Sequence, residues 1–270
     1  MLALISLVAT AVAQDPEFET ATVVAEEEAT AEESETTASA ELGGLWTSGN
    51  AQLYAVNAGI EAQHRWDRNQ LSGVLGANLG AAVPDANGDG RVDENERLAG
   101  YVENARRAFT DVRYDRFLSD RDSVYALAGA FHDVFAGYDL RSHEQVGYSR
   151  LLVKNDSSTL RLEGGLDWAQ EWRTTDEYAN IVAARVLVGL KHAFNDNVRF
   201  SETLELYENI LTPEDLRILN TATLSSTLNS TFSLKLSHAL IFDNLPVEGF
   251  RKLDQTTAVT LVVTLARTDG

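Results

Sequence analysis

The stretch from Asp85 to Glu96, "DANGDGRVDENE", places oxygen-bearing side chains at the spacing of a calcium-binding loop. It fits the pattern D-x-[DN]-x-[DN]-G-x5-E at every position, and a glycine falls where such a loop turns sharply. The predicted ligands are the side chains of Asp85, Asn87 and Asp89, the backbone carbonyl of Arg91, Asp93 directly or through water, and a bidentate Glu96. Only a short helical turn follows, so we expect a lone structural Ca2+ loop. The alternative is an acidic loop that binds no ion.

Other groups with catalytic potential are scattered along the chain. There are no cysteines, which excludes disulfides, thiolate metal sites and a cysteine nucleophile. His143 precedes Glu144 in a predicted outer connector, and His132 precedes Asp133, but neither pair has an identifiable nucleophile partner. We therefore predict no catalytic residues and no enzymatic activity.

The charge of the chain argues against one class of partner. The formal net charge is -19, from 22 basic and 41 acidic residues. Such a chain offers little basic surface to meet phosphates, so we do not expect nucleic acid as a partner. Much of the excess lies in residues 14–40, which hold nine acids and no base.

Two segments precede the predicted domain. Residues 1–13 form an apolar run that ends in Ala11-Val12-Ala13, which is typical of a secretory signal peptide, although no basic residue precedes the run. The alternative for this run is a buried strand or helix. Residues 14–40 have too little apolar surface to offset the entropy of ordering, so we predict a disordered acidic linker. Residues 41–270 are predicted to be one domain, with 85–96 as an inserted loop.

From residue 41 onward the hydrophobicity alternates with a period of two, which indicates β-strands. In the stretch "TLRLEGGLDWAQEW" the large apolar residues share one face, while Arg161, Glu163, Asp167 and Glu171 share the other. The runs number about twelve. Short polar connectors tend to alternate with longer ones, and the longer set includes Asp85–Glu96, Arg141–Glu144 and Leu245–Lys252.

Two architectures fit this alternation: a soluble β-sandwich or barrel with an apolar interior, and a membrane barrel with a polar lumen and an apolar outer belt. Long strands, an even strand number and one set of tight turns favour the membrane barrel. Aromatic residues also gather near both ends of the strands: Trp66, Phe117, Phe194, Phe200 and Phe232 at one end, and Trp46, Trp172, Tyr178 and Phe242 at the other. We predict an all-β fold, a closed antiparallel transmembrane β-barrel.

Three segments carry a family resemblance: "AELGGLWTSGNAQ", "GYSRLLVKNDSSTLRLEGGLDWAQEW" and "FDNLPVEGFRKLDQTTAVTLVVTL". They resemble the bacterial outer-membrane barrels known as salt-induced outer-membrane proteins, a domain of unknown function. The resemblance implies a monomeric barrel in the outer membrane of a Gram-negative cell, in contact with lipid, lipopolysaccharide and the barrel-assembly machinery. The chain departs from the family in its acidic linker, in the 85–96 insertion and in its end, "LARTDG", which lacks a terminal aromatic.

Two functions remain open at this point. One is a passive or structural barrel, including a narrow pore linked to osmotic or salt stress. The other is a closed barrel that serves as a surface binding platform, and an outer-membrane hydrolase is the least favoured alternative. Inward charges of both signs fit either a water-filled pore or a lumen closed by ion pairs. If strand one runs outward, the Asp85–Glu96 loop is extracellular, where Ca2+ would hold its carboxylates in one shape or link them to lipopolysaccharide.

Overall fold

A computed structural model describes residues 34–49, 51–89 and 91–269, with side chains described as far as residue 265. The predicted signal peptide and residues 14–33 of the predicted linker lie outside the described residues, as does Gly90 of the predicted calcium loop.

The described chain consists of twelve strands and one short helix. The elements are β1 (Glu35–Thr47), β2 (Leu53–Trp66), β3 (Asn69–Ala82), α1 (Glu94–Ala99), β4 (Val102–Phe117), β5 (Asp122–Asp133), β6 (Tyr138–Lys154), β7 (Ser158–Arg173), β8 (Tyr178–Ala193), β9 (Val198–Asn209), β10 (Leu216–Thr227), β11 (Phe232–Asp243) and β12 (Leu253–Asp269). Among these described residues no helix has the length and apolar character needed to span a bilayer.

The strands form one closed barrel in which each strand pairs antiparallel with its neighbours in sequence. The seam is closed by β1 and β12, which pair from Glu35↔Asp269 to Leu42↔Leu261. The prediction of a closed antiparallel barrel with about twelve strands is therefore confirmed. Closure leaves no edge strand, so each strand shares a backbone hydrogen-bond ladder with a neighbour on either side.

The connectors at one end of the barrel have at most four residues, whereas those at the other end have four to nineteen. The tight-turn end, as we call it, holds the connectors 67–68, 118–121, 155–157, 194–197 and 228–231. The long-loop end holds 48–52, 83–101, 134–137, 174–177, 210–215 and 244–252. The 83–101 connector is the longest and contains both α1 and the predicted calcium loop.

The period of two sorts the side chains between the outer surface and the lumen. On β7 the residues Leu162 and Leu166 are exposed on the outside, whereas Glu163 and Asp167 are buried inside. The same inversion holds around the barrel, so that an apolar belt faces outward and polar groups face inward. This arrangement is opposite to that of a soluble sandwich and matches a barrel whose solvent is lipid.

Two predicted boundaries need correction. The first strand begins at Glu35, so residues 35–40 belong to the barrel and not to the linker. Their composition is poor in apolar residues, but pairing with β2 and β12 on both sides holds them in the sheet. The segment Arg141–Glu144 is also strand, within β6, and the true connector is 134–137. Arg141 and His143 enter the polar lumen, whereas Ser142 and Glu144 lie on the outer face and bond to Gln170.

Candidate functional site: the charged lumen

The inner face of β7 carries three carboxylates at a spacing of four residues, namely Glu163, Asp167 and Glu171. Strand alternation turns all three into the lumen, because residues separated by an even number share a face. Each is almost completely buried, at 1% exposure or less. A buried carboxylate needs a cationic or hydrogen-bonding partner, so these three positions organise the lumen.

Three arginines surround Glu163. Arg113 of β4 approaches one carboxylate oxygen at 2.8 Å, and Arg185 of β8 approaches the other at 2.9 Å. Arg161, two residues before Glu163 on β7, lies at 3.4 Å. The cluster joins side chains from strands on both sides of β7 into one network inside the barrel.

The arginines of this cluster have further partners. Arg113 also pairs with Asp115 at 2.8 Å, and Arg185 pairs with Glu205 at 2.7 Å. The ring of Tyr125 lies 4.1 Å from the Arg113 guanidinium, and its hydroxyl accepts a hydrogen bond from Arg185. The cations and anions here balance, which removes any large net field from this part of the lumen.

Glu171 is the centre of a second cluster, nearer the long-loop end. Arg217 of β10 lies 2.6 Å from it, Arg173 lies 2.8 Å away and Arg141 lies 3.5 Å away. Arg217 is in turn 3.2 Å from Asp243 of β11. This cluster therefore connects β6, β7, β10 and β11 across the interior.

His143 lies between the two clusters. Its ring nitrogens approach Asp111 at 2.9 Å and Asp167 at 3.5 Å. Glu144, its neighbour in sequence, points outward and accepts a hydrogen bond from Gln170. The His143–Glu144 pair, weighed above as a possible catalytic pair, is thus split between the lumen and the outer surface. The prediction that it lies in a connector is wrong, because both residues lie in β6.

The other histidine pair is split in the same way. Asp133 is buried on the inner face of β5, whereas the ring of His132 lies on the outer face and bonds to the backbone carbonyl of Asp139. Neither pair assembles a catalytic arrangement, since adjacent residues of a strand point to opposite faces.

The opposite wall of the lumen is lined by small polar side chains. These include Ser72, Asn78, Ser237, Thr256 and Thr260. An ion pair on this side joins Lys235 to Glu41 at 2.6 Å. The charges are thus concentrated on the wall formed by β4 to β10.

The connector 244–252 covers the long-loop end of the lumen. Val247 is 1% exposed and packs with Phe131 and Tyr138, against which Phe250 also lies. Gly137 adopts a φ of 92°, and a Cβ atom there would approach Val247 at 2.9 Å and Phe250 at 3.0 Å. Glycine at this position therefore permits both the left-handed turn and the close approach of the connector.

In the predicted calcium loop, the carboxylates accept hydrogen bonds from the backbone N–H groups of the loop itself. The Glu96 carboxylate accepts backbone N–H groups from Ala86 at 2.7 Å and Asp93 at 2.9 Å, and Asp93 caps α1 in return. Asp85 accepts N–H groups from Gly88 at 2.8 Å and Asp89 at 3.2 Å.

The remaining predicted ligands of the loop lie in the same turn. The Asn87 side-chain carbonyl accepts the Asp89 N–H at 2.8 Å, and the Asp89 carboxylate accepts the Arg91 N–H at 2.9 Å. Within residues 34–49, 51–89 and 91–269, no three acidic, histidine or cysteine side chains are placed to hold a metal ion together. The donors are all hard oxygens, the type that Ca2+ prefers.

Sequence reasoning identified the inward charges but not their pairing. Arg161, Glu163 and Glu171 were predicted to share the polar face of their strand, and all three face the lumen. The roles of Tyr125 and Val247 were missed, because nothing in their local sequence distinguishes them from ordinary strand and loop residues. The inward glycines Gly147 and Gly165, whose Cβ atoms would meet the Tyr125 hydroxyl at 2.5 Å and 2.9 Å, leave room for the tyrosine.

Comparison with known proteins agrees with this geometry. Residues 40–265 match the family described as "Protein of unknown function, DUF481", and the chain belongs to that family. No protein of curated function matches the chain. The barrel is similar to the NanC porin, with a TM-score of 0.50, 11% identity, and coverage of 86% of this chain and 99% of the porin.

A second solved structure with a similar barrel is the COG4313 outer membrane channel from Pseudomonas putida F1. Its TM-score is 0.49 at 11% identity, with coverage of 88% of this chain and 97% of that one. The closed sheet, apolar belt and polar lumen define an integral β-barrel of the outer-membrane class, and the expected outer-membrane localisation agrees with this fold.

Proposed function

We propose that this protein is a passive, structural outer-membrane barrel whose lumen is closed by its own ion pairs and whose long loops form a surface platform. The observation that supports it most is the burial of the lumen charges. Arg113, Glu163 and Glu171 are each 2% exposed or less, although all three point into the interior. Side chains that line a wide aqueous pore would be in contact with water.

The connector 244–252 supports the same proposal. Val247 places an apolar side chain over the end of the lumen, where a conducting pore would need a polar opening. Ion pairs in the middle and an apolar contact at the mouth are independent barriers to a solute.

A second candidate is a narrow pore linked to osmotic or salt stress. It is favoured by a cavity below the long-loop mouth, lined in part by Arg141, His143, Tyr207 and Arg217. Displacement of the 244–252 connector would open this cavity to the outside.

Planar-bilayer recording separates the two candidates. We expect the folded wild-type barrel to be silent. The double variant Arg113→Ala/Glu163→Ala should conduct in small steps, because it removes a buried pair and its volume together. Leu245→Ser, an exposed change in the covering connector, is the matched control and should stay silent. Reproducible steps from the wild type would reject the closed barrel in favour of the pore.

We also propose that the long-loop end faces outward and that the Asp85–Glu96 loop binds one Ca2+. Asp85 and Glu96 together with Asn87, Asp89 and Asp93 offer the oxygen donors that a flexible shell of about 6–8 ligands requires. Mg2+ demands a tighter octahedron and keeps its waters, so Ca2+ is the expected ion. The ion would fix the loop above the barrel, where lipopolysaccharide is the nearest anionic surface.

Calorimetric titration of the refolded barrel tests this proposal. We expect binding of one Ca2+ with an affinity of about 10⁻⁴–10⁻³ M, the range of extracellular modules. Glu96→Gln should abolish the heat, whereas Glu103→Gln, outside the loop in β4, should leave it unchanged. Equal heats from both variants, or no heat from the wild type at millimolar Ca2+, would show an acidic loop without an ion.

A further inference from the structure

The outer surface of β9 to β12 carries a polar patch in the middle of the apolar belt. Its members are Glu202, Asn220, His238 and Thr257, one from each successive strand. Alternation fixes their outward direction, because Ser237 and Thr256, the neighbours of two of them, are buried in the lumen. His238 lies halfway along β11, between the outward-facing Leu236 and Leu240.

The patch is made of two hydrogen-bonded pairs on either side of a small residue. The Asn220 amide donates to the Glu202 carboxylate at 3.1 Å, and the His238 ring bonds the Thr257 hydroxyl at 2.9 Å. Ala222 lies between the pairs, since it is the register partner of Glu202 on one side and of His238 on the other.

Such a patch is costly when it faces hydrocarbon. Carboxylates and imidazoles at mid-belt positions destabilise a membrane barrel, and lipid tails offer them no hydrogen bonds. The internal pairs satisfy only part of the bonding capacity of Glu202 and His238. A second outward carboxylate, Glu144, is likewise bonded to an amide, that of Gln170, but its register partners Ala128 and Trp168 supply no imidazole for a second copy to meet.

We propose that this patch is the contact face of a homodimer, in which Glu202 and Asn220 of one copy meet His238 of the other. A twofold axis along the membrane normal beside Ala222 exchanges the two flanks of β10. Glu202 and His238 each lie one strand, about 5 Å, from Ala222, so the rotation brings the carboxylate of one copy toward the imidazole of the other. Self-complementarity of this kind defines a twofold interface.

The tilt of the strands is compatible with this pairing. Because the strands are tilted, a line of register partners perpendicular to them changes height as it passes around the barrel. Along the line Glu202–Ala222–His238, Glu202 is therefore nearer the tight-turn end than His238. The Glu202 side chain reaches toward Asn220, which lies two residues nearer the long-loop end than Ala222. Its carboxylate therefore approaches the depth of His238, and the small side chain of Ala222 lets the two surfaces come together.

The dimer does not depend on whether the lumen conducts, and it departs from the monomer that the family resemblance implies. A spin label tests it directly, since the chain has no native cysteine. Leu224→Cys, two residues from Ala222 on the outer face of β10, labelled and placed in lipid vesicles, should show strong dipolar broadening that disappears when unlabelled protein is added in excess. Ala108→Cys, on the outer face of β4 across the barrel, is the matched control and should show none.

A second measurement follows the interacting groups. Glu202→Leu/His238→Leu should weaken the dimer by about tenfold or more, as judged from mass in lipid nanodiscs. The exchanged variant Glu202→His/His238→Glu should restore it, and Glu144→Leu should have no effect. A monomeric mass for the wild type, equal broadening at positions 224 and 108, or a dimer that survives the leucine substitutions would each overturn the proposal.

Discussion

At the scale of single residues, the lumen depends on carboxylates that each hold several arginines. Removing two charges from water is costly, and their attraction offsets that cost only when hydrogen bonds complete the arrangement. Glu163 meets this condition because both of its oxygens have arginine partners. Loss of the Glu163 charge therefore leaves three lumen arginines, Arg113, Arg161 and Arg185, with only the carboxylates of Asp115 and Glu205 to balance them.

We predict that Glu163→Gln lowers the free energy of unfolding by about 3–5 kcal/mol, the cost of breaking a buried ion pair. Urea unfolding followed by tryptophan fluorescence measures it. Glu177→Gln is the control, since Glu177 is largely exposed and its loss should change stability by about 0.5 kcal/mol or less. Similar losses of stability for both variants would contradict the buried arginine network around Glu163.

Two adjacent glycines of β7 provide a test of packing on the inner wall. A Cβ on Gly165 would clash with the Val146 carbonyl oxygen and approach the Gly147 Cα and the Tyr125 hydroxyl at 2.9 Å, whereas one on Gly164 would meet nothing within 4 Å. We predict that Gly165→Ala destabilises the barrel by about 1–3 kcal/mol through overpacking. Gly164→Ala, on the outer face, should be close to neutral. The same unfolding assay compares them, and equal effects would contradict the close packing of β6 against the inner face of β7 at Gly165.

At the scale of elements, the barrel and its longest connector are stabilised separately. Every strand is paired on both sides, so the sheet does not rely on the 83–101 connector. That connector relies on Glu96, Asp85 and the cap of α1 for its shape. A change in the loop should therefore remain local.

We predict that a Ca2+ chelator exposes residues 84–100 to protease without unfolding the barrel. The reason is that unneutralised carboxylates repel one another once the ion is removed. The readout is the rate of nicking with and without chelator, with the sheet followed by circular dichroism. A nicking rate that the chelator does not change would show that calcium does not order the loop. Loss of the circular-dichroism signal of the sheet would show that the loop and the barrel are coupled.

At the scale of the whole molecule, closure of the β1–β12 seam should produce a barrel that resists partial unfolding. We predict that the folded protein stays in the membrane fraction during carbonate extraction. It should also migrate differently on a gel before and after boiling, because an intact barrel remains compact in detergent. Recovery as a soluble protein with a single gel position would contradict the membrane barrel.

The sequence by itself determined the strands, their number and their inverted faces. These are local properties: the period of two decides which side chains of β7 face lipid, whatever strand lies beside it. The alternation of tight and longer connectors could be predicted for the same reason, because it too is a local property of the sequence. The segment Arg141–Glu144 was misplaced because it is polar on both faces, lumen and outer, and so resembles a loop in composition.

Only the tertiary structure decided which residues meet. Arg113 and Glu163 lie on β4 and β7, and their contact depends on closure, strand tilt and register, none of which a single strand encodes. The burial of Val247 over the lumen and the alignment of Glu202, Ala222 and His238 arise in the same way. Local alternation assigns a side chain to a face, but long-range pairing assigns its neighbours, and the neighbours determine whether a charge lines a pore, closes it or faces a second copy.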